Sequence, residues 1–192
     1  MQMKVGFFVL GVSVLGSAVS AQAYCEDLWL ARNSIMNDNG YCFGTPLGKA
    51  IFDNSDCSTK SPKLSAQESR RVAAIQNQEK LDECKVNTKK TSLDIELFEL
   101  RQKLVIQPII DGFESSCVKY NGQSPIPLYA DQDTNSQILG HVQPGDSVNF
   151  SHYSEEDKPG WGFASYVWAE DYLNPRLGWH IDPIDKCEAF AG

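Results

Sequence analysis

Six cysteines, at 25, 42, 57, 84, 117 and 187, and three histidines, His141, His152 and His180, are the residues of this 192-residue chain best suited to nucleophilic, redox or metal chemistry. Their arrangement argues against most of it. No Cys-x-x-Cys pair occurs, so the usual zinc spacing is missing. A Cys–His nucleophile needs a free thiolate, whereas an even cysteine count in an exported chain favours disulfides. The chain carries no Gly-x-Ser-x-Gly elbow, His-Glu-x-x-His helix, P-loop or dinucleotide glycine pattern. Asp131-Gln132-Asp133-Thr134-Asn135 imitates the start of a calcium loop, but Ser136 and Val142 stand where that loop requires Gly and Glu. It reads as a solvated hairpin loop, and Glu155-Glu156-Asp157 as a charged turn. The expectation is a protein with no catalytic residues, no metal and no cofactor.

The positive signal is aromatic. Tyr129, His152, Tyr153, Trp161, Tyr166, Trp168, Tyr172 and Trp179 crowd the last third of the chain. Aromatic faces beside polar loops are how shallow grooves hold sugars or peptides. Small β-structures also use Trp internally, and Trp161 and Trp179 read as core. Tyr129, His152, Tyr153, Trp168 and Tyr172 are the candidate ligand-binding residues. Arg32 and Asn33, on the first predicted helix, read as hydrogen-bonding a neighbouring loop.

Residues 1–23 have the composition of a signal peptide. Lys4 is the basic start, residues 5–15 are apolar, and Ala21-Gln22-Ala23 fits small-x-small cleavage, leaving Tyr24 first. The apolar run is short and Gly-rich for an anchor. Tyr24 before Cys25 lacks the small residue that a lipoprotein needs at that position. The expected compartment is the periplasm or the exterior, with no membrane anchor after cleavage. Removing Lys4 leaves 16 basic residues against 25 acidic, a net of −9. Such a surface repels nucleic acid and anionic lipid.

The elements follow from periodicity and punctuation. Leu28, Trp29, Ile35 and Met36 share one face of a helix over 26–39, which Asn39-Gly40 ends. Thr45-Pro46 starts a short helix through residue 52. Ser65 and Glu68 form a capping box ahead of a helix with Val72, Ile75 and Leu81 facing inward and Cys84 at its end. Leu93, Leu97, Leu100 and Leu104 predict a further helix, capped by Ser92 or Asp94 and closed by Pro108. After Cys117 the pattern changes to short apolar runs separated by prolines. Strands are expected over 126–129, 138–142, 147–152, 161–166 and 179–181, with Gln143-Pro144-Gly145-Asp146 as a tight turn.

Two resemblances rest on these stretches. Arg32-Asn33-Ser34-Ile35, Gly40-Tyr41-Cys42-Phe43 and Leu64-Ser65-Ala66-Gln67-Glu68 resemble the YARHG domain, a small extracellular bacterial module. The Tyr-Ala-Arg-His that names it is absent, because Met36-Asn37-Asp38-Asn39 stand there, so nothing those residues do elsewhere transfers. Leu128-Tyr129-Ala130, then residues 136–142, then Pro144-Gly145-Asp146-Ser147-Val148 resemble bacterial SH3-like domains, with Trp161 and Gly178-Trp179-His180-Ile181 at the later positions. Residues 168–177 look like an insertion. The resemblance implies binding of cell-wall peptides, glycans or proteins.

Six cysteines allow 15 connectivities, and spacing alone leaves them open. The element order favours Cys42 with Cys57 as a loop staple, Cys25 with Cys84 tying the first helix to the end of the third, and Cys117 with Cys187 closing the β-module. The expected architecture is α+β: a signal peptide at 1–23, a disulfide-stapled helical domain at 24–84, a helical connector at 85–117, and an SH3-like β-barrel at 118–192. The leading functional expectation is a non-catalytic binding or adaptor protein of the cell envelope, with peptidoglycan or an envelope protein as partner. The alternatives are an accessory or inhibitor of a cell-wall enzyme and a purely structural periplasmic disulfide protein.

Overall fold

The computed structural model describes residues 21–153, 158–169 and 174–192, without the side chains of residues 21 and 111–113. Residues 1–20 of the expected signal peptide and Tyr172 lie outside this description. The chain is α+β, with helices in the N-terminal half and an antiparallel sheet in the C-terminal half.

Helix α1, Ala21–Asp38, opens the described chain, so the expected cleavage point after Ala23 falls in its first turn. Gly40, with φ of 75°, follows its end and takes the left-handed conformation that glycine adopts at least cost. Helix α2, Pro46–Ile51, starts as predicted: Thr45 Oγ1 accepts the Gly48 amide and Pro46 occupies the first turn. Helix α3, Ala66–Leu81, begins with the reciprocal cap, Ser65 Oγ accepting from the Glu68 amide and Glu68 from the Ser65 amide. Leu28, Ala31 and Ile35 of α1 bury against Ile75 of α3. Leu81 does not face inward; it is 76% exposed.

The leucine stripe is not one helix. Only α4, Phe98–Arg101, is helical there, and Leu97 before it sits at φ 52°. Leu93 packs with Trp29, Leu47 and Ile51, whereas Leu97, Leu100 and Leu104 pack with Tyr129, Phe163 and Trp179. A straight helix has one apolar face, and these leucines serve two separate cores, so tertiary burial overrides local propensity. The segment instead uses its backbone outward: the Asp94 amide donates to Glu26, and the Val105 amide donates to Ala130 O at 2.9 Å.

Strand β1, Ile109–Tyr120, begins just past Pro108, where the predicted helix closes, and takes up the end of the expected connector; neither it nor β7, Cys187–Ala191, is among the expected strands. Between them in sequence come β2, Ile126–Tyr129, β3, Ile138–Val142, β4, Ser147–Tyr153, β5, Gly162–Trp168, and β6, Arg176–His180. The order across the sheet is β3-β2-β6-β5-β4-β1-β7. Among the described residues the sheet is open, with β3 and β7 as edges that do not pair with each other, so the expected barrel is not shown. Successive residues face opposite sides. Leu128 and Ala164 point into one core with Val142, Val148 and Val167, while Tyr129 and Phe163 point into the other, which the connector covers.

All three cysteine pairings expected from the element order are present: Cys25–Cys84, Cys42–Cys57 and Cys117–Cys187. They fit an oxidising compartment outside the cytoplasm. No helix among the described residues is long and apolar enough to cross a membrane.

Candidate functional site

Strand β4 carries Ser151 and His152 to the line where helices and sheet meet. Strand β5 sets Ser165 beside them. The Ser151 amide donates to Ser165 Oγ at 2.9 Å, and His152 Nδ1 lies 3.0 Å from both the Ser151 and Ser165 hydroxyls. Phe163 meets the imidazole edge to face at 5.8 Å.

Arg101, the last residue of α4, approaches the other ring nitrogen. Its Nη1 lies 3.2 Å from His152 Nε2. Its Nη2 donates to Asp27 Oδ1 of α1 at 2.8 Å and to Pro108 O at 2.9 Å, and its Nε donates to Gln107 Oε1 at 3.1 Å. Asp27 Oδ2 accepts the Ile110 amide at 2.8 Å. One buried guanidinium thus joins α1, the connector and the sheet. Burial pushes the Asp27 carboxyl up, opposed by the Arg101 charge and the Ile110 amide.

The pairing fixes the proton on the imidazole. A guanidinium has only donors, so His152 Nε2 accepts, and a neutral ring then carries its proton on Nδ1, facing the serines. This is the reverse of what a serine nucleophile needs, where the imidazole must accept the hydroxyl proton. Protonating the ring would also place a second cation against Arg101. Burial first, and the Arg101 charge second, push the His152 pKa down to about 3. Ser151, Ser165, His152, Arg101 and Asp27 are thus joined in one chain of contacts, with Arg101 standing between the imidazole and the carboxylate.

Open space borders this network. A cavity of about 310 Å³ is lined by Ser165, His152, Asn149, Tyr166, Trp168 and Glu96, among others. A second, of about 320 Å³, shares Glu96, Glu114, Ser151 and His152 with it and adds Asp94 and Asp27. A third, of about 470 Å³, lies past His152 and is walled by Tyr153, Trp161, Phe163 and Trp179.

Of the residues predicted to bind ligand, His152, Tyr153 and Trp168 line these cavities. Tyr129 is 8% exposed and packs edge to face on Trp161 inside the core. Trp179 is core, as expected, and donates its indole N–H to Ile106 O at 3.0 Å. Arg32 pairs with Glu79 of α3 at 3.0 Å, and Asn33 donates to Trp29 O within its own helix, so neither bonds to a loop as anticipated. Among the described residues no group of three or more His, Cys, Asp or Glu is placed to hold a metal.

Asp27 and Arg101 escaped the sequence reading, although both left a trace. Arg101 follows Leu97 by four and precedes Leu104 by three, which puts a charge on the apolar stripe. Asp27 precedes Ala31 and Ile35 at the same helical spacing. Glu26, fully buried and bound by Lys90 and Gln22, was missed in the same way.

Residues 83–192 match the family model described as a domain of unknown function (DUF4453), and residues 14–80 match the YARHG domain. The YARHG match covers the three stretches that carry that resemblance. No curated protein and no solved structure matches the chain.

Proposed function

This chain belongs to the DUF4453 family, whose description assigns no activity, and on that premise we propose an exported, non-catalytic binding or adaptor protein of the bacterial cell envelope. The observation that carries the reading is the convergence of His152, Tyr153 and Trp168 on neighbouring cavities around a histidine whose Nε2 is held by Arg101 and whose Nδ1 proton faces the serines. A preformed, partly aromatic hollow with an inert polar floor suits recognition.

We read the C-terminal part as a divergent relative of SH3-like domains, opened into a sheet. The disulfides support the exported state, and the connector, through Glu96 and Arg101, supplies one wall of the groove. Peptidoglycan is the leading partner, and an envelope protein the second.

Co-sedimentation of the oxidised protein, residues 24–192, with purified sacculi tests this. The wild type is expected to pellet, and Trp168→Ala to remain in the supernatant. A wild type that stays in solution rejects peptidoglycan as the partner.

A further inference from the structure

The groove between the connector and β4–β5 combines three features that belong to different elements. Tyr166 and Trp168 of β5 form an edge-to-face pair with centroids 5.4 Å apart, and both line the 310 Å³ cavity. Glu96 from the connector and Glu114 from β1 border it and the adjoining cavity, and neither is ion-paired among the described residues. Asn149 Oδ1, on the same lining, is a buried acceptor with no donor among the described residues.

The floor offers nothing to an anion. Arg101 is the cation on the lining, and its charge is matched by Asp27 at 2.8 Å. His152 is neutral and its nitrogens are both engaged. The groove therefore presents carboxylates, an unfilled carbonyl and aromatic faces, all of which favour a positively charged N–H donor.

Resting on the reading of this groove as a binding site, we infer that it seats an alkylammonium group of the kind carried by a lysine side chain. The ammonium lies between Glu96 and Glu114 with an N–H directed to Asn149, and its methylene stem lies along Trp168 and Tyr166. The same chemistry on a free diamine would fit the same contacts.

Isothermal titration tests the inference with Nα-acetyl-lysine-methylamide, its Nε-acetylated form, and cadaverine as the free amine. The lysine probe is expected to bind, more weakly as salt rises. Acetylation of its ammonium, and the double variant Glu96→Gln with Glu114→Gln, each weaken binding about tenfold or more. Both substituted residues are exposed, so folding is retained. Cadaverine binding as well as the lysine probe identifies a free amine as a sufficient source; preference for the lysine probe identifies a peptide. Equal binding of the acetylated probe, an unchanged double variant, or no binding of either amine overturns the inference. Sacculi that still pellet the wild type but not Trp168→Ala, with no amine binding, leave the groove standing as a binding site and remove only the ammonium.

Discussion

Arg101 Nη2 and Asp27 Oδ1 meet at 2.8 Å with 2% and 3% of their side chains exposed, joining α1 of the helical half to the connector against the sheet. The two residues are 74 positions apart in sequence. All the contacts of the guanidinium are to groups of the protein interior, so the pair behaves as part of the core rather than as a surface ion pair.

Replacing Asp27 by Ala leaves a buried cation without its counter-charge. Breaking a buried pair from one side costs about 3–5 kcal/mol. Urea unfolding of Asp27→Ala at pH 7 is expected to show a loss of that size. A loss below about 1 kcal/mol would mean that Arg101 finds water and that the junction is looser than described.

Acid weakens the fold through His152. The folded ring has its pKa lowered from 6.5 to about 3, so between these values the unfolded chain binds more protons than the folded one. Stability present above pH 6.5 is lost as pH falls toward 3, by about 1.4 kcal/mol per unit for one such group. His180 is shifted in the same direction by burial and contributes with the same sign. His152→Gln, which does not titrate, is expected to flatten the pH dependence of unfolding over that window without abolishing it. Parallel profiles for variant and wild type would show that His152 is protonated at little cost.

The disulfides differ in the length of chain they close. Cys42–Cys57 spans 15 residues and Cys117–Cys187 spans 70. Loop-closure entropy makes the first worth about 3 kcal/mol and the second about 4 kcal/mol. Guanidinium unfolding of the paired Cys→Ala variants is expected to show the larger loss for Cys117–Cys187. The opposite ranking would mean that the folded state, rather than the unfolded chain, sets their value.

Local signals were legible where one short stretch contains both the cause and its effect. Thr45-Pro46 and Ser65 with Glu68 each hold the caps that their neighbours need, and both helices start there. The strands over 126–129 and 138–142 have the predicted bounds, because Pro, Gly and Asp mark their ends. The leucine stripe misled for the opposite reason. Its spacing fits a helix, yet Leu93 and Leu97 belong to different cores, and a φ of 52° at Leu97 turns the chain between them. Strand β1 was hidden because Asp111, Gly112, Ser115 and Ser116 interrupt its apolar pattern, and it gains its order from pairing with β4 on one side and β7 on the other.

The candidate site was half visible. His152, Tyr153 and Trp168 stood out as aromatic residues in a β-rich tail, and the fold brings them to neighbouring cavities. What holds His152 in one protonation state comes from α1 and α4, far away in sequence.

By itself the sequence determined the α+β composition, the helix caps and the YARHG resemblance, whereas it left the cysteine pairing an expectation that the structure bears out. The first three depend on steric preferences and hydrogen bonds within a few residues. Only the tertiary structure decided that the sheet stays open, that the connector covers its second face, and that Asp27, Arg101 and His152 form one buried network. Those outcomes rest on burying charge and apolar surface between segments dozens of residues apart, a balance that no local pattern encodes.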